Sequence, residues 1–324
     1  MAEWQVEEGI GEHRAVLVER GEIVAARLDW PGPLAAGLVE DAVLIARHAG
    51  SPRGTLRFAS GEEALIDGLE RDAREGGLLR AIVTRSALAE RGRLKRAQAR
   101  PSQADTRPAP GMAESLKREG HQVHVVRSFA DADWDDLFAE AWSGTVDFTG
   151  GSLTLSPTPA MTLIDIDGTL APAALALAAV PAIAATLRRM DLAGSVGIDF
   201  PSLAEKSDRR ALDEALATAL VQWQHQRTAM NGFGFVQLVA RLERASLLAR
   251  LSQDRTGAAA RLLLRRAEQA DQPGALLLTA HPAVLAAIPH AWEVELARRS
   301  GRIVRRSPDP ALALDGGFAQ AVAT

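Results

Sequence analysis

Three carboxylates are spaced for chemistry in the middle of the chain. Asp165 and Asp167 close the apolar run Met161-Thr-Leu-Ile-Asp-Ile-Asp-Gly-Thr-Leu170, and Asp199 closes Gly194-Ser-Val-Gly-Ile-Asp-Phe200. Two residues apart on a strand, the side chains of Asp165 and Asp167 point to one face. Acids at the ends of neighbouring strands suit a hard cation, because Mg²⁺ takes carboxylate oxygens and keeps several waters. An aspartate at a strand end also starts turns or caps the next helix. What lifts Asp165 and Asp199 above that reading is the Ala/Leu-rich stretch from Pro172 to Met190. It reads as one helix joining two apolar strands, and a right-handed crossover sets such strands side by side or nearly so.

The elements that must hold these acids can be taken from both sides. Thr145-Val-Asp-Phe-Thr149, Gly150-Gly151 and Ser152-Leu-Thr-Leu155 form a hairpin signal, two alternating runs around a glycine pair. After Asp199, Ser202 to Val221 has helical amphipathicity, and Phe235 to Leu251 and Gly257 to Gln269 are expected as further helices. Ala275 to Ala280 is expected as a buried strand and Gly301 to Arg306 as a basic edge strand. Met112 to Gly120 and Gln122 to Val126 are expected as a short helix and a strand, with His121 and His124 as surface histidines.

Upstream the pattern is strand-rich. Residues 12–30 read as two strands around Arg20-Gly21, and shorter runs follow at 38–46, 54–58, 64–67 and 78–84. Many short strands with regular turns suggest a small antiparallel barrel, and an OB-fold would fit. Such barrels bind single strands through a basic groove with stacking aromatics, and the candidates here are Arg57 and Phe58, with Arg53, Arg80 and Arg85 close in sequence. Phe58 is equally suited to a barrel core. A basic stretch, Glu90-Arg-Gly-Arg-Leu-Lys-Arg-Ala-Gln-Ala-Arg-Pro101, leads into the Pro-rich segment that ends at Pro110.

The residues around the acids resemble the catalytic core of ribonuclease E/G endoribonucleases. The resemblance is carried by Ala160-Met-Thr-Leu-Ile-Asp-Ile-Asp167, the helix end Leu187-Arg-Arg-Met-Asp-Leu-Ala-Gly194 and Val196-Gly-Ile-Asp-Phe200. It extends to Asp135-Asp-Leu-Phe-Ala-Glu-Ala-Trp142 upstream, and downstream to Asp208–Leu216 and Gly232-Phe-Gly234. It implies that Asp165 and Asp199 bind a catalytic Mg²⁺ (or Mn²⁺) and that Asp167, where the family has asparagine, is a third ligand or an orienting group. It also implies that the loop carrying Gly232-Phe-Gly234 lies near the active site, with Arg227 and Asn231 contacting the scissile phosphate or ordering water and Phe233 contacting the RNA. The family has an arginine before its Phe-Gly and an acid after it; here those positions are Gly232 and Gln237.

The expected fold is therefore α/β in the mixed sense, a small N-terminal OB-like β-barrel followed by a mixed-sheet nuclease core with flanking helices. The expected division is a β-rich RNA-binding region over 1–100, a linker over 101–115 and the catalytic domain over 116–324. The linker occupies the place of the domain that senses the RNA 5′ end in long family members, and 5′-monophosphate sensing is expected to be absent.

Composition removes several chemistries. The chain of 324 residues has no cysteine, which excludes disulfides, thiolate zinc sites and cysteine nucleophiles. The zinc link through which larger family members pair is thus not expected, and any oligomer must form differently. The acidic start Met1-Ala-Glu-Trp-Gln-Val-Glu-Glu carries no apolar leader, and prolines 172 and 181 interrupt the longest apolar stretch. A cytoplasmic protein without membrane contact is expected. The net charge of −4 does not advertise a nucleic-acid binder, so any basic surface must be local.

The expected activity is hydrolysis of single-stranded RNA, read through backbone and stacking contacts. Two alternatives stand beside it. An RNA-binding relative with a decayed site would share every motif above. Asp165-Ile-Asp-Gly-Thr-Leu170 also matches the first motif of haloacid-dehalogenase-type phosphatases, with Asp165 as nucleophile and Asp167 as general acid. Those enzymes normally begin with this motif and need a later lysine, and Lys206 is the only lysine after it.

Overall fold

A computed structural model describes residues 3–32, 34–90, 93–129 and 133–323. Its first three strands, β1 (Glu3–Gly9), β2 (Glu12–Glu19) and β3 (Glu22–Asp29), form an antiparallel meander. The tight turns between them use positive φ at Gly11, Arg20 and Gly21.

The next strands close into a barrel. They are β4 (Val39–Arg47), β5 (Arg53–Arg57), β6 (Glu63–Asp67) and β7 (Leu78–Arg85). A small hairpin follows, β8 (Leu88–Glu90) with β9 (Arg93–Lys95), and then β10 (Ala97–Pro101). β10 inserts between β6 and β7, parallel to the first and antiparallel to the second, giving a closed barrel in the order β10-β6-β5-β4-β7. Five strands closed by the last one make the expected OB-like barrel. Its interior is filled by Leu44, Leu56, Phe58, Ile66 and Val83. In the basic stretch behind it, Arg91 and Gly92 lie outside the described residues, and Arg96 pairs with Glu63 at 3.4 Å.

The strands read at 12–30 are not part of that barrel. After α1 (Met112–Arg118) the chain returns as β11 (Val123–Val126), which pairs parallel to β1 at the edge of the first sheet, order β11-β1-β2-β3. That sheet has its own small core of Trp4, Val6, Ala15 and Leu116. Strand alternation reveals that a segment is a strand, not which sheet it joins, and the parallel partner of β1 lies more than a hundred residues away. His124 is exposed and pairs with Glu3 at 3.1 Å.

The central unit follows α2 (Trp134–Ser143). Its strands are β12 (Thr145–Phe148), β13 (Gly151–Pro157), β14 (Thr162–Gly168), β15 (Gly194–Asp199), β16 (Gln226–Arg227) and β17 (Phe235–Ala240), with α3 (Pro172–Arg189) and α4 (Lys206–Ala219) between them. They form one mixed sheet in the order β12-β13-β14-β15-β17-β16. The crossover helix α3 starts with Pro172, which suits the first helical turn, and continues unbroken through the exposed Pro181. By length and composition α3 could cross a membrane. Its buried residues Leu175, Ala179, Ile183 and Leu187 join the sheet's inner face, Ile164, Ile166, Val196 and Ile198, in the largest core.

One expectation fails here. Phe235–Ala240 is a strand, not the start of a helix; the helix α5 begins only at Leu247 and runs to Gln253. Val236 and Leu238 are buried while their neighbours are not, a period of two that the following helical segment obscures. The C-terminal unit comprises α6 (Arg255–Glu268), β18 (Ala275–Ala280), α7 (Pro282–Ala286), α8 (His290–Ser300), β19 (Val304–Pro308) and β20 (Phe318–Val322), its sheet ordered β19-β18-β20. It packs on the first sheet, where Arg261 donates to the Gly11 carbonyl at 2.9 Å and lies 4.0 Å from the Trp30 ring and 4.6 Å from that of Trp292.

Candidate active site

Alternation along β14 sends Ile164 and Ile166 into the core and leaves Asp165 and Asp167 exposed on the opposite face. On β15, Val196 and Ile198 turn inward and Asp199 outward. The two strands are parallel neighbours in which Asp165 is registered with Asp199. Adjacent strands lie about 4.8 Å apart and registered residues share a face. The crossover thus sets the two carboxylates side by side.

Their surroundings can be read row by row across the sheet. The row through the pair is Thr145, Thr154, Asp165, Asp199, Phe235. On one side runs Asp147, Ser152, Asp167. On the other run Ser156, Leu163, Gly197, Gln237. No lysine or arginine stands in these rows. The Ile166 N–H donates to Asp165 Oδ1 at 3.1 Å, and among the described residues none of the three aspartates forms an ion pair. Asp167 lies one pleat along the same strand, registered with Ser152 rather than with the pair.

The glycine turn predicted from the sequence braces this end of the sheet. Gly150 sits at φ 97°, Gly151 is registered with Gly168, and the Thr169 N–H donates to the Gly150 carbonyl at 3.2 Å. A Cβ on Gly151 would run into the Asp167 carbonyl oxygen, so the hairpin packs against the acid-bearing strand at a distance only glycine permits.

Asp165 and Asp199 offer two hard oxygen donors without an ion-pair partner among the described residues, and two carboxylates with water completing the sphere are enough for a hard divalent cation. Among the described residues no group of three or more His, Cys, Asp or Glu side chains is placed to hold an ion, so Asp165, Asp167 and Asp199 do not form a ready-made three-ligand cage.

The loop before β17 approaches the same strand end. The Phe200 N–H donates to the Gly234 carbonyl at 3.1 Å, and Gly234 at φ 91° leaves no room for a Cβ against the Phe200 carbonyl oxygen. Asn231 Oδ1 accepts from the Phe233 and Phe235 N–H groups at 2.9 and 3.0 Å. Its carbonyl oxygen is therefore engaged in holding the turn. Phe233 is carried in the turn before β17 with 85% of its surface exposed, a large apolar area turned to solvent.

The remaining candidates sit differently. Arg227 donates from Nη1 to Asp213 Oδ1 at 3.1 Å and from Nη2 to the Asp213 carbonyl at 2.7 Å, so it ties the β16 strand to α4. Arg57 is on the barrel and pairs with Glu63 at 3.1 Å. Phe58 is buried in the barrel core at 3% exposure, which removes its ring as a stacking surface. Arg57 and Phe58 are consecutive, and alternation puts their side chains on opposite faces. Sequence reasoning passed over Asp147, Thr154, Gly197 and Phe235, whose places follow only from the register.

A cavity of about 680 Å³ lies elsewhere, between the β1–β11 edge and the ends of α6 and α8, lined by Glu7, Arg127, Glu268, Arg299 and Arg302 among others. The carboxylate pair is outside it, on an open face suited to an extended polymer more than to an enclosed small molecule.

No curated protein matches the chain. Residues 106–241 match the model of the Ribonuclease E/G family, a span that begins before α1 and holds all six strands of the central sheet with both registered acids. This segment of the chain, which carries the acid-bearing sheet, is similar to the Ribonuclease E/G family.

Proposed function

We propose that the protein is a metal-dependent endoribonuclease that hydrolyses single-stranded RNA at the Asp165–Asp199 pair. The observation that carries this reading is the register of the two acids on adjacent parallel strands, exposed and without an ion-pair partner among the described residues. Asp165 and Asp199 would hold Mg²⁺ or Mn²⁺, which when bound supplies positive charge for a phosphate oxygen and polarises water.

The chain's own groups define the rest. Asp167, exposed on the same face, would accept a hydrogen bond from a water and orient it. Water's oxygen adds to phosphorus and gives up one proton to solvent, the phosphorus–O3′ bond breaks, and O3′ takes one proton back from solvent, leaving a 3′-hydroxyl and a 5′-phosphate. The exposed Phe233 favours unpaired bases, which alone have a free face to stack.

A second reading, RNA binding without cleavage, is favoured by Gly232 and Gln237, which replace the arginine and acid of the family pattern. The phosphatase reading loses support, because both acids of the motif lie within a strand paired antiparallel to β13 along its whole length and inside the family-matched segment.

The test is cleavage of a short fluorescent single-stranded RNA with Mg²⁺, beside Asp199→Asn and a chelator control. Metal-dependent cuts absent from the variant are the expected result. Tight binding without cutting would replace the enzyme with a binding protein, and neither would remove RNA altogether.

A further inference from the structure

Phe235 is registered with Asp199 on the neighbouring antiparallel strand, so it shares the open face with the carboxylate pair. Its ring does not stand upright there. It lies over Gly197, where an added Cβ would meet ring carbons Cζ and Cε2 and would come within 3.0 Å of Leu163 Cδ2. Leu163 and Phe235 therefore converge above a glycine and form an apolar shelf beside the acids. Phe235 remains partly exposed and, among the described residues, is not packed against any of the buried clusters. An aromatic ring laid over a glycine of the sheet and left partly exposed offers apolar area on which a base can stack.

The charges around the shelf say which part of a nucleotide belongs on it. The row on the far side of the pair carries Asp147 and Asp167, whereas the shelf's row, Ser156, Leu163, Gly197 and Gln237, is uncharged. A phosphate held over Asp165 and Asp199 places its neighbouring base toward one row or the other. The uncharged, apolar row is the one that receives it. Gln237 flanks the shelf and is fixed by its Nε2 donating to Ser195 Oγ at 3.2 Å, which leaves Oε1 as an acceptor at the platform's edge.

We infer that Phe235, seated on Gly197, stacks on the nucleobase next to the scissile phosphate and sets the protein's preference among single-stranded sites. The inference rests on the reading of Asp165 and Asp199 as the cleavage site. Stacking area favours a purine at that position.

The test uses the full chain and a set of single-stranded RNA oligonucleotides, each with one abasic position around a mapped cut. Wild-type protein is expected to show one flanking position at which base removal raises KM roughly tenfold or more with kcat little changed. In Phe235→Leu that position should become insensitive to base removal, while Phe235→Trp should retain the sensitivity. Gly197→Ala, which displaces the ring without removing it, should behave like Phe235→Leu. A merely structural ring would lower activity equally on intact and abasic RNAs. Cleavage by the wild type with the same abasic profile in Phe235→Leu would overturn the inference and leave the nuclease standing. No cleavage and no binding by the wild type would overturn both. Thermal melting of each variant guards against unfolding as the cause.

Discussion

Asp165 and Asp199 face the same way from registered positions on adjacent parallel strands, and neither has a basic partner among the described residues. Like charges directly across a strand pair are destabilising, by roughly 0.2–1 kcal/mol. In metal-free buffer, Asp199→Asn should therefore melt slightly higher than the wild type, by about 1–3 °C. Added Mg²⁺ should reverse the order, because a cation bound only by the folded wild type stabilises it by about 2.7 kcal/mol at a hundredfold excess over Kd. Melting curves with and without Mg²⁺ decide this without an activity assay. A variant that melts lower than the wild type in both buffers would show that the two carboxylates do not share a cation.

A different role follows for Arg227 from its partner. Its guanidinium reaches both the side chain and the carbonyl of Asp213, and Asp213 Oδ1 also accepts from the Met230 N–H at 3.2 Å. Asp213 thus joins α4, β16 and the loop that leads to Phe233. Asp213→Ala should cost about 1–2 kcal/mol, the loss of partly exposed charge-assisted bonds, and denaturant unfolding should record it. Arg227→Lys should not rescue the contact, since one ammonium cannot span two acceptors as the fork does. A full loss of cleavage by Arg227→Lys with unchanged stability would instead place Arg227 on the substrate.

The adjacency of the two acids was legible because each closes an apolar run and one helix joins the two strands; the crossover rule then makes them neighbours. Their register was not, nor was the membership of Phe235 in the same sheet. The run Phe-Val-Gln-Leu-Val-Ala alternates, but the helix at Leu247–Gln253 follows closely enough to draw the whole stretch into a helical period. Phe58 illustrates the opposite error. An arginine followed by an aromatic looks like a nucleic-acid surface in one dimension, yet alternation in the barrel separates Arg57 from Phe58 by the thickness of the sheet. The first sheet was missed as a separate unit for a longer-range reason: Trp4 to Glu7 pair with Val123 to Val126, across the entire barrel sequence.

Away from the site, one buried cation stands between two carboxylates. Arg14 pairs with Glu7 at 2.5 Å and with Glu12 at 2.7 Å, all three side chains nearly inaccessible. Burial pushes the Glu7 carboxyl above its usual range, against the lowering pull of Arg14 and Arg265. The sign follows directly. The folded protein holds a proton that the unfolded chain has already released, so this contribution is fully present below the unfolded value of 4.5 and is lost as pH rises through the raised folded value. Glu7→Gln should remove that part of the slope in a plot of stability against pH. Arg14→Met, leaving two buried acids unpaired, should cost about 3–5 kcal/mol at neutral pH. An unchanged slope in Glu7→Gln would assign the pH dependence to another group.

Asn231 and Phe233 are two residues apart and should fail in different ways. Asn231 Oδ1 accepts from the Phe233 and Phe235 N–H groups, so Asn231→Ala frees the turn that carries both phenylalanines. Phe233, 85% exposed, supports nothing in the fold. Phe233→Ala should leave the melting temperature unchanged and weaken single-stranded RNA binding by about 1–3 kcal/mol, the contribution of one stacked base. Asn231→Ala should lower both stability and affinity, and Asn231→Asp, which keeps the acceptor, should restore the stability. Affinity measured in the Asp199→Asn background keeps cleavage out of the comparison. If Phe233→Ala binds RNA like its parent, this turn is not part of the path the RNA takes, and the substrate must run across the sheet on the side of Thr145 and Thr154 instead.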